Sequence, residues 1–453
     1  MTTEVIVLAA GRGTRMASSR PKMLHMLGGM SLLDRVLATA LALNPERVHA
    51  VIGPESEYVK ATRHEPQLHW HVQVERGGTA HAVELAMGHV APGASVVVLY
   101  SDVPLVRVDT LKVLRALIQD DRLAVLSAHT AEPYGLGRIV RSADGTVTAI
   151  VEEADATVEE KTIAEVNTGI IAAPADRLHE WLPRIGSDNQ QRERYLTDVV
   201  ALAFSDGVAI EVHQVQQADE ALGINTKAQL AAAERALQRR EADRLMHEGL
   251  TLRDPERFDL RGEIAFGEDC SIDINVVLEG RIELGSGVTI GPNCHIRNTQ
   301  LADDVTVHAN CVIDSAQVGQ GASIGPFARL RPEAELGADA QIGNFVEIKK
   351  SQIKAGTKIN HLAYIGDSEV GQSVNIGAGV ITCNYDGHSK YKTVIGDGAF
   401  IGSNAQLVAP VTIGPGATIG AGSTIRQDAP AGKLTLTHGR QKTLDRWRRR
   451  QDD

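Results

Sequence analysis

The feature that most restricts the fold of this chain is a six-residue beat in its second half. Aliphatic residues recur at Leu284, Ile290 and Ile296, then at Val318, Ile324, Leu330, Leu336, Ile342 and Ile348, and again at Ile395, Ile401, Leu407, Ile413, Ile419 and Ile425. Glycine often follows, as in Ile290-Gly291, Ile324-Gly325, Ile365-Gly366 and Ile413-Gly414. This is the hexapeptide signature of a parallel β-helix. The aliphatic side chains enter a narrow core, and glycine eases the turn at each corner. Between Ile376 and Ile395 the beat fails, so "GAGVITCNYDGHSKYKTV" is expected to leave the coil as a loop. Long loops on a rigid scaffold usually carry function.

The first half has a different rhythm. "EVIVLAAG", "VHAVIG" and "SVVVLYSD" read as buried strands, and helical patterns lie between them. Ser31 and Asp34 make a capping pattern before "SLLDRVLATALAL". "GRIVRSADGTVTAIVEE" predicts a hairpin turning at Asp144-Gly145. The alternation predicts an α/β domain with a mainly parallel sheet, whose ligands sit at the carboxyl ends of strands. "TKAQLAAAERALQRREADRLMHEG" is rich in strong helix formers and predicts one long helix stopping at Gly249. The expected domains are therefore residues 1–227, a helical linker at 228–248, and residues 249–453.

Composition excludes several classes. No stretch approaches 18 consecutive apolar residues, so no transmembrane helix is expected. No basic and then apolar leader precedes the first strand, so no signal peptide is expected. The four cysteines lack CxxC spacing, which favours free thiols in a reducing cytoplasm over metal ligation. A net charge of −11 argues against general nucleic-acid binding, although Arg446, Arg448, Arg449 and Arg450 form a short basic tail.

"VIVLAAGRGTRM" places two glycines directly after a strand. Backbone N–H groups in such a loop can approach an anion. A Walker loop is absent, and the dinucleotide motif would need glycine where Met16 stands. Arg15 and Lys22 add cations, and Pro21 stiffens the approach to Lys22. This suits a triphosphate better than a single phosphate.

Extended to "LAAGRGTRMASSRPK", the motif resembles that of nucleoside-triphosphate:sugar-1-phosphate transferases. The resemblance continues through "GGTAHA", "YSDVPL", "GLGRI", "VEEADAT", "EVNTGI", "YLTD" and "GINTKAQL". "GPFARLRPEAEL", "GNFVEIKK", "NHLAYIGD" and "NIGAGVITCNYDG" then resemble the acetyltransferase half of the bifunctional N-acetylglucosamine-1-phosphate uridylyltransferase/glucosamine-1-phosphate N-acetyltransferase family. The resemblance implies a Rossmann-like nucleotidyltransferase domain and a left-handed parallel β-helix. It implies a cytoplasmic homotrimer that makes UDP-N-acetylglucosamine for peptidoglycan and lipopolysaccharide.

In such an enzyme Asp102 and Asn225 would offer hard oxygens to Mg²⁺, which takes its other ligands from water and substrate phosphates. By resemblance, Leu8, Ala9, Ala10, Gly11, Arg15, Lys22, Gln73, Gly78, Thr79, Tyr100 and Ser101 would hold UTP. Gly137, Glu152 and Asn167 would contact the amino sugar. Acetyl transfer needs a neutral amine, and His361 is the expected general base. Arg331, Lys349, Tyr364 and Asn375 would bind glucosamine 1-phosphate. Ala378, Asn384, Tyr385, Ser403, Ala421 and Arg440 would bind acetyl-CoA, with His438 as the competing cation. Ser101, Ala80, Leu136 and Glu153-Ala154 depart from the usual family pattern. Two other readings stand beside this one: a nucleotidyltransferase whose β-helix only oligomerises or regulates it, and a scaffold with a degenerate ligand-binding first domain.

Overall fold

A computed structural model describes residues 2–119, 121–437, 439, 441 and 443. His438, Arg440 and the arginines of the tail lie outside the described residues. The chain divides into two compact units, Met1–Leu237 and Gln238–Asp453.

The first unit is built on strands β1 (Thr3–Ala9), β2 (Arg47–Ile52), β3 (Leu68–Val72), β4 (Ser95–Tyr100), β5 (Leu123–His129), β6 (Arg138–Arg141), β7 (Val147–Val151), β8 (Glu165–Pro174) and β9 (Ile210–Gln214). Their order is β9-β5-β8-β4-β1-β2-β3, with the β6–β7 hairpin attached to β8. β1 pairs in parallel with β2 and β4, while β8 runs antiparallel to β4 and β5. The expected hairpin is present, with Gly145 at φ 88° in its turn. Helices α1 (Leu32–Leu41), α2 (Thr79–Met87), α3 (Val108–Ala116), α4 (Ala175–Trp181) and α5 (Asp198–Ser205) cover the sheet. Separate apolar clusters fill its two faces, because alternate residues of each buried strand point to opposite sides. Ser31 caps α1 by accepting from the Asp34 N–H.

Helix α6 runs Lys227–His247, and Gly249 follows at φ 107°. Ala233 and Leu237 belong to an apolar cluster of the first unit with Met16, Leu32 and Ile224. Ala242 and Leu245 belong to the core of the second. The division therefore falls inside the helix.

The second unit is a parallel coil with three columns of inward side chains. One column climbs through Ile272, Ile290, Val307, Ile324, Ile342, Ile359, Ile376, Ile401 and Ile419. A second contains Ile296, Ile313, Leu330, Ile348 and Ile365, and a third contains Leu301, Val318, Leu336, Ile353 and Val370. The three separate runs of the sequence pattern are one continuous coil. The beat slips because some steps, such as Ile296 to Leu301 and Ile348 to Ile353, are five residues long. The expected loop is also shorter than its motif. Ile381–Cys383 is still a strand of the coil, and the chain leaves it only at Asn384. Thr382 stands at a fully buried core position there, and its hydroxyl disguises the repeat.

Candidate functional sites

In the first unit the carboxyl ends of β1 and β4 open into a cavity of about 460 Å³. Leu8, Ala9, Ala10, Gly11, Lys22, Gln73, Gly78, Thr79, Tyr100, Ser101 and Asp102 line it, as do Arg12, Arg76 and Glu193. Two glycines have visible steric reasons. A Cβ on Gly13 would stand 2.5 Å from Lys22 Cβ, so glycine lets the lysine fold back over the loop. A Cβ on Gly78 would stand 2.4 Å from the Arg194 carbonyl oxygen, at φ 102°. The Gln73 amide donates to the Gly78 carbonyl at 3.1 Å, and Thr79 Oγ1 accepts from the Leu196 N–H at 2.9 Å.

Asn225 is distant in sequence but adjacent in space. The Ile224 N–H donates to the Asp102 carbonyl at 2.8 Å and ties its loop to the end of β4. Lys22 Nζ donates to Asp102 Oδ2 at 2.5 Å and to Asn225 Oδ1 at 2.7 Å. Arg15 Nη2 donates to the same Asn225 oxygen at 3.0 Å. A carboxylate and an amide oxygen thus face one point, where an ammonium now sits. Both are hard donors, so this pair suits Mg²⁺. Among the described residues no three His, Cys, Asp or Glu side chains form a metal cluster.

Gly137, Glu152 and Asn167 do not line that cavity but gather beside Tyr100. The Asn167 N–H donates to the Gly137 carbonyl at 2.8 Å, and Thr197 Oγ1 donates to Glu152 Oε1 at 3.1 Å. Burial raises the Glu152 carboxyl above its ordinary range. Burial, with the Glu152 charge nearby, also raises the Tyr100 phenol. Burial pushes Tyr195 up to about 12, aided by Asp155.

In the second unit the expected residues are spread over outer positions of the coil. Asn344 pairs with His361 on neighbouring turns. Ala378, Ser403 and Ala421 occupy the equivalent place, two residues after the column members Ile376, Ile401 and Ile419. They form one corner of the coil. Arg331 and Lys349 form the opposite corner of the next face, each one residue after the column members Leu330 and Ile348. Tyr364 projects from that face between them, on the rung next to Glu347. Arg331 Nη1 donates to Glu347 Oε1 at 2.9 Å. Lys349 Nζ lies 3.3 Å from Asp367 Oδ2, which also accepts from the Asn384 amide. His361 Nδ1 is 2.8 Å from Asn344 Oδ1. That amide oxygen fixes a proton on Nδ1 and leaves the Nε2 lone pair free. The His361 corner borders a shallow cavity with Phe327 and Phe345, whose rings stack 5.2 Å apart. Tyr385 is exposed and donates to the Gly387 carbonyl, and Asn375 lies on the strand paired with Lys358 and Phe400. The shallow cavity holds Asn344 and His361 but not Arg331, Lys349, Ser403 or Ala421.

Two family models match the chain in turn. Residues 5–248 match the MobA-like NTP transferase domain. Residues 266–298 and 392–427 match the bacterial transferase hexapeptide repeat. The bifunctional protein GlmU of Alkalilimnicola ehrlichii is 53% identical over 98% of this chain and 96% of its own length. Those of Marinobacter nauticus and Methylococcus capsulatus are each 49% identical, over 98% and 99% of this chain and 98% of their own lengths. The chain belongs to the family of bifunctional GlmU proteins. It is an enzyme with uridylyltransferase and acetyltransferase domains.

Within the GlmU pattern, the departures have structural readings. Ser101 does not take a positive φ, so serine carries no backbone penalty there. Ala80 is fully buried on α2, and Leu136 packs against the sheet. Glu153 accepts from Arg138 Nη2 at 2.7 Å, so it neutralises a guanidinium that is 1% exposed. Three contributors were not legible as site residues in the sequence. Arg76 donates to the Ala10 carbonyl at 3.0 Å, and Thr197 and Asn344 orient Glu152 and His361. Arg76 immediately precedes Gly77-Gly78, the one local signal available.

Proposed function

We propose that the chain acetylates glucosamine 1-phosphate from acetyl-CoA in its second unit. It then transfers UMP from UTP to N-acetylglucosamine 1-phosphate in its first. The product, UDP-N-acetylglucosamine, supplies cell-wall and lipopolysaccharide synthesis in the cytoplasm. The observation that carries the first half is the convergence of Asp102, Asn225, Lys22 and Arg15 beside the loop of residues 8–11.

In uridylyl transfer the sugar-phosphate oxygen attacks the α-phosphorus and pyrophosphate leaves. Asp102 and Asn225 would hold Mg²⁺, which when bound neutralises triphosphate charge. Backbone N–H groups of the 8–11 loop cradle the phosphates. Lys22 and Arg15, released toward the triphosphate, offset charge that grows on the departing pyrophosphate. No covalent enzyme intermediate is needed; positioning and charge suffice.

In acetyl transfer the amine loses its proton to His361 Nε2 as it attacks the thioester carbonyl, the C–S bond breaks, and the departing CoA thiolate takes the proton back from the imidazolium. The fixed Nδ1–H···Asn344 bond supports the imidazolium that forms. Arg331 and Lys349 hold the sugar phosphate; Tyr364 and Asn375 complete its polar contacts. Ala378, Ser403 and Ala421 have small side chains along one corner, which suits a pantetheine arm lying against the coil. Asn384 and Tyr385 cover it from the exit loop. An open face suits completion by a neighbouring copy, and the family resemblance makes that assembly a homotrimer.

The test is incubation with UTP, glucosamine 1-phosphate, acetyl-CoA and Mg²⁺, with each omitted in turn. UDP-N-acetylglucosamine, CoA and pyrophosphate are expected together only in the complete mixture. CoA release without pyrophosphate from N-acetylglucosamine 1-phosphate and UTP would refute the first half. The converse would leave the nucleotidyltransferase reading with a structural β-helix.

A further inference from the structure

Neither reaction uses the histidines of β2 and β3. Ile6 of β1 pairs with His49, which pairs with His69, and Val51 pairs with His71. By strand alternation Glu4, His49, His69 and His71 share one face of the sheet. It is the face whose apolar cluster includes Ile6, Val51, Met87 and Val90, at the end of α2. His89 follows that helix, and its carbonyl accepts from Arg47 Nη1 at 3.1 Å.

These side chains form a connected set. The Ala91 N–H donates to Glu4 Oε1 at 3.0 Å, and Glu4 Oε2 lies 2.7 Å from His49 Nε2. His49 Nδ1 lies 3.0 Å from His71 Nε2. Ring centroids are 5.2 Å apart for His49 and His71, 4.8 Å for His71 and His89, and 5.7 Å for His49 and His69. Glu4 and His49 are fully buried, His71 is half-buried, and His69 and His89 are exposed. Burial, with the neighbouring histidines and Lys60 adding to it, lowers His71 to about 4.

The tautomers follow from the partners. Glu4 takes the Nε2–H of His49, so His49 Nδ1 presents a lone pair to His71. A buried carboxylate behind a histidine is the arrangement that orients metal-bound imidazoles. Two imidazole nitrogens on one tetrahedral ion, at bonds of about 2.0–2.1 Å, stand about 3.3 Å apart. The His49–His71 separation is already within a few tenths of an ångström of that value. For both lone pairs to face one ion, the His71 tautomer has to change and the two rings have to turn off the line that now joins their nitrogens. Among the described residues no finished three-ligand set exists, so a third imidazole has to turn inward. His89 is exposed and next to His71, which leaves it free to do so.

We propose that His49, His71 and His89 bind a divalent transition ion of the zinc class, with Glu4 orienting His49. Imidazole donors select Zn²⁺, Ni²⁺ or Cu²⁺ over Mg²⁺, so the site is chemically separate from Asp102 and Asn225. The ion cross-links β2, the edge strand β3 and the segment after α2.

The test is calorimetric titration of Zn²⁺ into the full chain with excess Mg²⁺ present, alongside thermal melting with and without Zn²⁺. The parent chain is expected to bind one Zn²⁺ that His71→Ala loses. His89→Ala is expected to bind at least tenfold more weakly. Zn²⁺ should raise the melting temperature of the parent and leave that of His71→Ala unchanged. Because His89 is exposed, its variant keeps the test open if His71→Ala does not fold. No binding by the parent, or a His89→Ala isotherm matching the parent's, overturns the assignment.

Discussion

The two units gather their proposed site residues by different means. In the first, loops at the carboxyl ends of neighbouring strands close around one cavity, and residues as far apart as Lys22 and Asn225 share a hydrogen bond. In the second, register stacks equivalent positions turn upon turn, so Asn344, His361, Ala378, Ser403 and Ala421 align on one corner, of which Asn344 and His361 border a shallow cavity. A wound sheet makes concavity from one chain. A repeating coil makes straight rows, and a row becomes a cleft only against a second surface.

The largest expected effects test whether the two regions act separately. Asp102→Ala should lower uridylyl transfer by roughly 10²–10³-fold or more, because the cation loses its charged ligand. CoA release should be unchanged. His361→Ala should lower acetyl transfer by roughly 10²–10⁴-fold and spare uridylyl transfer. Coupled assays for pyrophosphate and free thiol measure both, and loss of both activities in either folded variant would erase the comparison.

Core changes should separate the units by stability. Leu407→Ala removes a fully buried side chain from the second column and should cost about 2–5 kcal/mol. Thr382→Val in the same column leaves the Gly366 N–H, now bonded to Thr382 Oγ1 at 2.8 Å, without a partner. It should cost about 1–3 kcal/mol. Denaturant melts of the parent and the two variants give the ranking; an unchanged Thr382→Val would mean the hydroxyl is not part of the coil's support.

A smaller effect depends on pH. The hydrogen bond from Arg138 holds the Glu153 carboxyl below its usual range. A depressed folded pKa means its stabilisation is complete above the unfolded value, about 4.3, and fades as pH falls through the folded value. Glu153→Gln should therefore lower the melting temperature at pH 7 and show less further loss between pH 5 and 3 than the parent. Parallel melting curves across that window would count against the Arg138 pair.

The smallest effect concerns Cys383, the last coil residue before the exit loop. Burial raises its thiol above the ordinary range, so maleimide labelling at pH 7 should be slow beside a free thiol and speed up as pH rises. Rapid labelling at neutral pH would show that the start of the exit loop opens more than the coil around it.

The sequence by itself determined the elements. The strand before the glycine loop, the Ser31 cap, the Asp144-Gly145 hairpin, the long helix and the hexapeptide coil all rest on local periods and turn chemistry. Such signals depend on residues a few places apart. The tertiary structure alone decided the rest. Five-residue steps and the inward Thr382 hid the continuity of the coil, because its register is kept by pairing between turns. Arg76 and Asn344 joined their sites through contacts that no spacing announces. The Glu4–His49–His71 chain needs three parallel strands in register before its members meet. Periodicity is a property of a segment, whereas convergence is a property of topology.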